Sequence, residues 1–186
     1  MPFSRNSDAA PPFLRESHLF VDESKARSFL FVAVVVAPHA VHMLRKDLRA
    51  ARPKGRRDIH FNGARDDVRN EVVRILRQHD VRAVTFRAVT VKGCNPREDC
   101  VRATARFAAS IAARSIVLDR DESLEVRDRR WLFQELHKSG IRYDHLHRHE
   151  EPLLWAADAI AWCWQRGGVW KDKVRPLVVR ATDLSA

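Results

Sequence analysis

Cysteine is scarce in this 186-residue sequence, and long hydrophobic runs are absent. The three cysteines, Cys94, Cys100 and Cys163, form no C-x-x-C pair, which is typical of free thiols in a reducing cytoplasm. The longest apolar run, 29–37, has nine residues, whereas a membrane helix needs about 20. The first residues also lack the basic and apolar stretches of a signal peptide. We therefore expect a cytoplasmic protein with no membrane partner.

Several common catalytic signatures are also missing. The sequence contains no phosphate-binding G-x-x-x-x-G-K, no G-x-S-x-G nucleophile motif, no dinucleotide-binding glycine pattern and no H-E-x-x-H. Lysine is rare too: the net charge of +10 results from 27 arginines and only seven lysines against 24 acidic residues. Arginine binds phosphate with two parallel hydrogen bonds, which favours an anionic partner. The alternative is that G+C-rich codons of the host explain the arginine content.

The composition predicts one globular domain. With 45% hydrophobic residues, five tryptophans and nine phenylalanines, the chain can form a core of its own. Proline, serine and asparagine without periodicity over 1–16 indicate a flexible arm, and the domain is expected over 17–168. Residues 169–186 form a C-terminal extension, in which PLVV either adds an edge strand or binds a partner.

The hydrophobic pattern predicts an α/β fold. The runs 18–23 and 29–37 are expected to pair as a hairpin, the second as a central strand buried on both faces. Further strands are expected over 81–92, 115–119 and 141–148, separated by segments with helical spacing. This order favours a mixed β-sheet flanked by helices in a single domain.

Carboxylates follow two of the predicted strands. HLFVDES ends in Asp22 and Glu23, and SIVLDRD ends in Asp119 and Asp121. If the strands are parallel neighbours, Asp22 and Asp119 meet at the carboxyl edge of the sheet, where open α/β folds bind ligands. Two close carboxylates repel unless a cation neutralises them, and Mg²⁺ suits them. The alternative is that the first pair begins a turn and Asp119 caps the next helix.

A further acid lies in the helix predicted from PLLWAADAIAWCW. Asp158 is almost its only polar residue, and an ionised side chain there needs a compensating partner. Glu151 lies seven residues earlier, so helical spacing puts both carboxylates on one face. The alternatives are that Asp158 pairs with an arginine and that Glu151 stabilises the positive end of the helix.

Histidines stand near acids in two further segments. In RRDIHF, Asp58 and His60 project the same way from an extended chain, where either can contact a metal ion, a water or a phosphate. In DHLHRHEE, His145, His147 and His149 are expected on one side of a strand, which resembles a zinc site. Ordinary alternation of polar residues on an exposed strand explains the second pattern as well.

Basic residues flank the acidic segments and are candidates for nucleic-acid binding. Cations around an acidic centre suit a polyanion that needs a metal ion at its cleaved phosphate. The alternative is a solvated, charged surface. The candidates are Arg56, Arg57, Arg120 and Arg127.

Four motifs over about 19–164 resemble the family called domain of unknown function 3800. They are FVDES, DIH, IVLD and LLWAAD, in this order. The resemblance implies a ribonuclease-H-like fold and a carboxylate cluster of Asp22, Asp119 and Asp158, completed by Asp58 or His60. The sequence departs from the family pattern at three positions: Lys25 replaces a usual Gly, Asp58 a frequent Glu and Trp155 a usual Gln.

Two functional hypotheses follow. The first is a metal-dependent nuclease in which Asp22, Asp119 and Asp158 bind one or two Mg²⁺ or Mn²⁺ ions, with Glu23, Asp121 and Glu151 as weaker candidates. In it, His60 transfers a proton or positions the substrate, which is DNA or RNA. The second is a non-catalytic ribonuclease-H-like module that binds nucleic acid or a protein partner, in which the acids serve only the structure.

Overall fold

The computed structural model of the protein describes residues 13–88 and 93–184. Residues 1–12, which make up most of the N-terminal arm expected over 1–16, lie outside these ranges. The end of the strand expected over 81–92 also lies outside, at residues 89–92, as do the last two residues, 185–186. No helix within the described ranges is long and apolar enough to cross a membrane.

The described residues form six strands, six α-helices and two short 3-10 helices, Phe61–Gly63 and Arg175–Leu177. The strands are β1 (His18–Ser24), β2 (Phe29–Val36), β3 (Arg82–Ala88), β4 (Ser115–Asp119), β5 (Arg142–Leu146) and β6 (Val178–Leu184). The helices are α1 (Val41–Ala51), α2 (Asp66–Gln78), α3 (Pro96–Ser110), α4 (Glu125–Leu136), α5 (Leu153–Arg166) and α6 (Gly168–Val174). The predicted mixed α/β architecture is therefore confirmed.

All six strands belong to one sheet in the order β5-β4-β1-β2-β3-β6. β2 pairs antiparallel with β1 and β3, which makes the expected hairpin, whereas β4 is parallel to both β1 and β5. The C-terminal ends of β1, β4 and β5 consequently meet at one edge of the sheet. The loops that follow these three strands therefore lie close together.

Alternation along the strands separates two hydrophobic cores. Phe20 and Val32 face a core completed by α1, α2 and α5, whereas Leu19, Val21 and Phe31 face a second core beneath α3 and α4. Because successive side chains of a strand point to opposite faces, each residue of β1 belongs to the core opposite to that of its neighbours. Both faces of the sheet are covered by helices, and β1 and β2 read as apolar runs for that reason.

The C-terminal segment adds to the sheet. After α6 the chain forms β6, which pairs parallel with β3 along residues 83–88. Of the two roles considered for PLVV, an edge strand or a partner contact, the described structure contains the edge strand. Most of β6 is exposed or half-buried, as expected for a strand paired on one side only.

The three histidines of DHLHRHEE do not share one side of a strand. β5 ends at Leu146, so only His145 lies in it, and its side chain is fully buried. His147 and His149 lie in the following loop, where their rings stack with centroids 5.3 Å apart. The expected alignment is wrong because the strand stops before the second histidine.

Candidate active site

Two aspartates stand side by side at the carboxyl edge of the sheet. β1 and β4 pair with Val21 opposite Leu118, one residue before Asp22 and Asp119. Phe20 and Val117 pack against the core under α5. Because side chains alternate along a strand, Asp22 and Asp119, two residues later, lie on this same face of the sheet. Asp22 is buried, with 5% of its surface exposed, and its carboxylate accepts a hydrogen bond from the Glu23 N–H at 2.7 Å.

A third aspartate reaches this edge from α5. The helix begins after Pro152 and ends at Gly167, which adopts a positive φ of 77°. It is buried along most of its length and packs extensively on β1, so Asp158 in its middle lies beneath the sheet edge. Its Oδ2 atom accepts hydrogen bonds from the Phe61 N–H at 2.8 Å and from His60 Nδ1 at 3.2 Å.

The guanidinium of Arg148 lies between the three carboxylates. Arg148 belongs to the loop that joins β5 to α5, and its Nη2 atom is 2.7 Å from Asp119 Oδ2 and 3.4 Å from Asp22 Oδ2. Its Nη1 atom is 3.2 Å from Asp158 Oδ2 and also contacts His60 Nδ1. We call the carboxylates of Asp22, Asp119 and Asp158 the acid centre, and Arg148 is its cation in this structure.

One guanidinium does not balance three carboxylates. Burial raises the pKa of Asp22 well above its usual value, and the charge of Asp158 raises it further, while Arg148 works against both. Burial by itself favours the neutral form of Arg148, but the charges of Asp158, Asp22 and Asp119 outweigh it and raise the pKa of Arg148. The acid centre is therefore short of positive charge.

His60 connects the acid centre to a groove. The hydrogen bond to Asp158 raises the pKa of His60, against a smaller opposing effect of burial. More than half of the His60 side chain is exposed, and it lines a groove of about 540 Å³ together with Pro53, Lys54, Arg56, Asp58 and Arg65. We call this the His60 groove. Its rim is mainly basic, and Asp58 lies on it rather than among the acid centre.

The second acid of each predicted pair lies elsewhere. Glu23 points to the opposite face of the sheet from Asp22, where it pairs with Arg97 and Lys25. Asp121 accepts hydrogen bonds from the N–H and the hydroxyl of Ser123, at 3.0 and 2.6 Å, in the turn before α4. Both residues line a cleft of about 540 Å³ that also opens onto Asp22, Asp119 and Arg148.

Glu151 is separated from the acid centre. It precedes α5. Its carboxylate accepts hydrogen bonds from two nitrogens of Arg45 at 2.6–3.1 Å and from the Leu153 N–H at 3.0 Å. It thus occupies the positive end of the helix, where a carboxylate is stabilised.

The four candidate arginines occupy different places. Arg56 and Arg57 are exposed in the loop before His60, and Arg56 lines the His60 groove. Arg120 lies beside the acid centre with its Nε atom 3.1 Å from Glu125. Arg127 is exposed on α4, over the other face of the sheet.

Sequence reasoning missed two residues, Arg148 and the buried Asp128. Arg148 carries no pattern that distinguishes it from the other arginines, although the end of a third parallel strand, β5, was a signal for its position. The second omission is Asp128 of α4, which is fully buried and bound by Arg97 and His145. Its segment, EVRDRRW, is typical of a solvated helix and contains no signal that one of its charged residues is buried.

Comparison with known proteins identifies the fold. The chain is similar to a solved structure described as the complex of PCNA and ribonuclease HII from Archaeoglobus fulgidus, with a TM-score of 0.58 and 17% sequence identity. The match covers 81% of this chain and 73% of the other. The protein thus has a ribonuclease-H-like fold. No protein-family model matches the chain, and no curated protein matches it in sequence.

The acid centre has the donor chemistry of a divalent-metal site but holds an arginine. Its three carboxylates are the hard oxygen ligands that Mg²⁺ and Mn²⁺ prefer, and they have an excess of negative charge. Within residues 13–88 and 93–184, however, no three His, Cys, Asp or Glu side chains are grouped closely enough to bind one ion together. In the acid centre, the guanidinium of Arg148 stands between the carboxylates.

Proposed function

We propose that the protein is a divalent-metal-dependent nuclease that hydrolyses phosphodiester bonds of DNA or RNA. One observation carries this proposal: three carboxylates, from two parallel strands and one buried helix, converge at the carboxyl edge of a ribonuclease-H-like sheet. A cluster of this kind is short of positive charge, which divalent cations supply. We also propose that the chain is a divergent member of the family called domain of unknown function 3800, on the order of its four motifs.

In this proposal Asp22, Asp119 and Asp158 would hold Mg²⁺ or Mn²⁺. When bound, such ions lower the pKa of a coordinated water and stabilise negative charge on the phosphate and the leaving oxygen. Asp158 has a second role, because it fixes His60 through a 3.2 Å hydrogen bond and helps to keep it protonated. His60 can therefore donate a proton to a leaving oxygen or bind a phosphate.

The His60 groove supplies the place for the nucleic-acid strand. Lys54, Arg56 and Arg65 give it positive charge next to the acid centre, and phosphate contacts of this kind provide affinity without reading sequence. A strand in the groove passes His60, which contacts the acid centre itself. The bond to be cleaved would then lie beside His60, at the end of the groove next to the acid centre.

Cleavage assays with labelled oligonucleotides test the proposal. Single-stranded and double-stranded DNA and RNA are incubated with Mg²⁺, Mn²⁺ or EDTA, and the wild type is compared with Asp22→Asn and Asp158→Ala. Asp99→Asn, which changes an exposed acid on α3, serves as the matched control. We expect metal-dependent cleavage by the wild type and the control, lost in both acid-centre variants. A contaminating nuclease would cleave equally in all samples.

A second candidate function is a non-catalytic module that binds nucleic acid. The position of Arg148 favours it, because a guanidinium bound to all three carboxylates can serve as a permanent structural counter-ion. This candidate predicts salt-dependent oligonucleotide binding that is the same with Mn²⁺ and with EDTA, and no cleavage by any of the proteins.

A further inference from the structure

The backbone of Arg148 is held firmly at the entrance of the acid centre. Its carbonyl oxygen accepts a 2.7 Å hydrogen bond from Trp155 Nε1, and Trp155 is buried in α5. On the preceding side, the His147 N–H donates to the Glu150 carboxylate at 2.7 Å. The loop is thus fixed on both sides of Arg148, whereas the side chain is reached by solvent over about a fifth of its surface. The contacts that hold the loop thus involve its backbone and not the guanidinium of Arg148.

Arg148 and a divalent ion compete for the same oxygen atoms. The guanidinium contacts the Oδ2 atoms of Asp22, Asp119 and Asp158 at 2.7–3.4 Å. Asp22 Oδ2 and Asp119 Oδ2 both face Arg148 Nη2, so an ion that either oxygen coordinates at about 2.0–2.2 Å on this side would lie within the space of the guanidinium. The two cations therefore cannot occupy the acid centre together.

Deprotonation cannot release Arg148. A guanidinium stays charged throughout the physiological pH range, and its carboxylate partners strengthen this tendency. If Arg148 left the acid centre without a replacement, the three carboxylates would remain there with no cation between them. The side chain is therefore displaced in only a small fraction of molecules unless another cation takes its place.

We propose that Arg148 is a built-in competitor of the divalent metal, which occupies the acid centre at rest and must swing out before Mg²⁺ or Mn²⁺ binds. This inference rests on the proposed function, because it takes the acid centre to be the metal site. The apparent metal affinity of the wild type is then the intrinsic affinity multiplied by the fraction of molecules in which Arg148 is displaced. The protein stays in a resting state until the metal concentration is high enough for exchange.

Mn²⁺ titration of metal-free protein by calorimetry tests the exchange. The wild type is compared with Arg148→Ala, and with Arg142→Ala as a matched control that removes an exposed arginine from the far end of β5. If Arg148 is displaced in only one molecule in ten, its removal raises Mn²⁺ affinity about tenfold. The control should bind Mn²⁺ like the wild type. Arg148→Gln, which keeps hydrogen-bonding capacity without the charge, replaces the alanine variant if that variant does not fold.

The results separate this inference from the proposed function. Asp158→Asn should abolish the Mn²⁺ binding of the wild type, and if it does not, the acid centre is not the metal site and both ideas fail. If Asp158→Asn does abolish binding but the Arg148 variants bind no more tightly than the wild type, only the exchange is wrong. Binding that appears only after removal of Arg148 would identify Arg148 as a permanent counter-ion and overturn the exchange, and no binding in any variant would overturn it as well.

Magnetic resonance of arginine side chains gives a second test on the wild type. The guanidinium signal of Arg148, assigned by its loss in Arg148→Gln, should have slowly exchanging protons in metal-free protein, because three carboxylates hold it. Mg²⁺ should shift this signal to the position of a solvated guanidinium. An Arg148 signal that is unchanged when Mg²⁺ saturates the protein would rule out displacement.

Discussion

Arg97 and Asp128 form a two-point ion pair in the interior, with Arg97 Nε 2.8 Å from Asp128 Oδ1 and Nη2 2.7 Å from Oδ2. Asp128 is fully buried and Arg97 is 6% exposed. Glu23 adds a second carboxylate to Arg97, and His145 Nε2 lies 3.2 Å from Asp128. This network joins α3, α4, β1 and β5 directly behind the sheet edge that carries the acid centre.

Breaking this pair on one side should strongly destabilise the protein. We expect Arg97→Ala to lower the free energy of unfolding by about 3–5 kcal/mol, because it leaves the buried carboxylate of Asp128 without its main partner. Urea denaturation followed by tryptophan fluorescence measures the change.

A second two-point pair provides the control. Arg87 and Asp183 make the same kind of contact between β3 and β6, at 2.8 and 2.6 Å, but both side chains are at least half exposed. Arg87→Ala should change stability little, because exposed ion pairs contribute little. Equal losses in the two variants would show that burial does not determine the strength of the Arg97 pair.

The same pair should contribute to acid unfolding. Burial opposes ionisation of Asp128, but hydrogen bonds from Arg97 and His145 outweigh burial and lower its pKa below the usual 3.8. The folded state therefore binds a proton at lower pH than the unfolded state does. This stabilisation is fully present above the usual pKa and is lost as the pH falls through the lowered pKa.

Asp128→Asn tests this pH dependence. We expect its free energy of unfolding to fall less steeply than that of the wild type when the pH is lowered below about 4. The measurement is a series of urea unfolding curves between neutral and acidic pH. Identical slopes for the two proteins would mean that Asp128 does not titrate differently in the folded and unfolded states.

The predictable part of the fold came from strong local patterns. The unbroken apolar run that contains Val32 and Val34 is short and rich in β-branched residues, which favours a strand covered on both faces by helices. β6 is not predictable from its own residues, because its sequence, VVRATDL, is mostly exposed and has little hydrophobic signal. Its place depends on pairing with β3, which is a tertiary contact.

The chemistry of the site was only partly visible in the sequence. Carboxylates after Val21 and Leu118, and a lone acid in an apolar helix, are polar residues where burial is expected, and such exceptions are informative. The alternation of side chains along β1 already separates Glu23 from Asp22. Arg148, in contrast, lies in the loop between β5 and α5. Its contact with the acids depends on the path of this loop, which no sequence periodicity predicts.

The His60 groove makes a prediction about nucleic-acid binding. Arg56→Ala should weaken oligonucleotide binding, because Arg56 lines the groove. The slope of log affinity against log salt concentration should become shallower by about 1, the value for one lost phosphate contact. Arg127→Ala removes an exposed arginine over the opposite face of the sheet and should have a smaller effect. Fluorescence anisotropy over a range of salt concentrations measures both. A larger loss for Arg127→Ala would place the strand on the α4 side instead.

His60 should control the alkaline side of the pH–rate profile. The hydrogen bond to Asp158 raises the pKa of His60 above its usual 6.5, so the protonated imidazole persists to higher pH. If His60 donates a proton to the leaving oxygen, the cleavage rate falls as the pH rises through the pKa that His60 has in the metal-bound protein, where an ion on Asp158 opposes this rise. His60→Gln should lower the rate about 100-fold and remove that fall. An unchanged profile in the variant would assign His60 to substrate positioning, and Mn²⁺ binding measured alongside would show that the acid centre is intact.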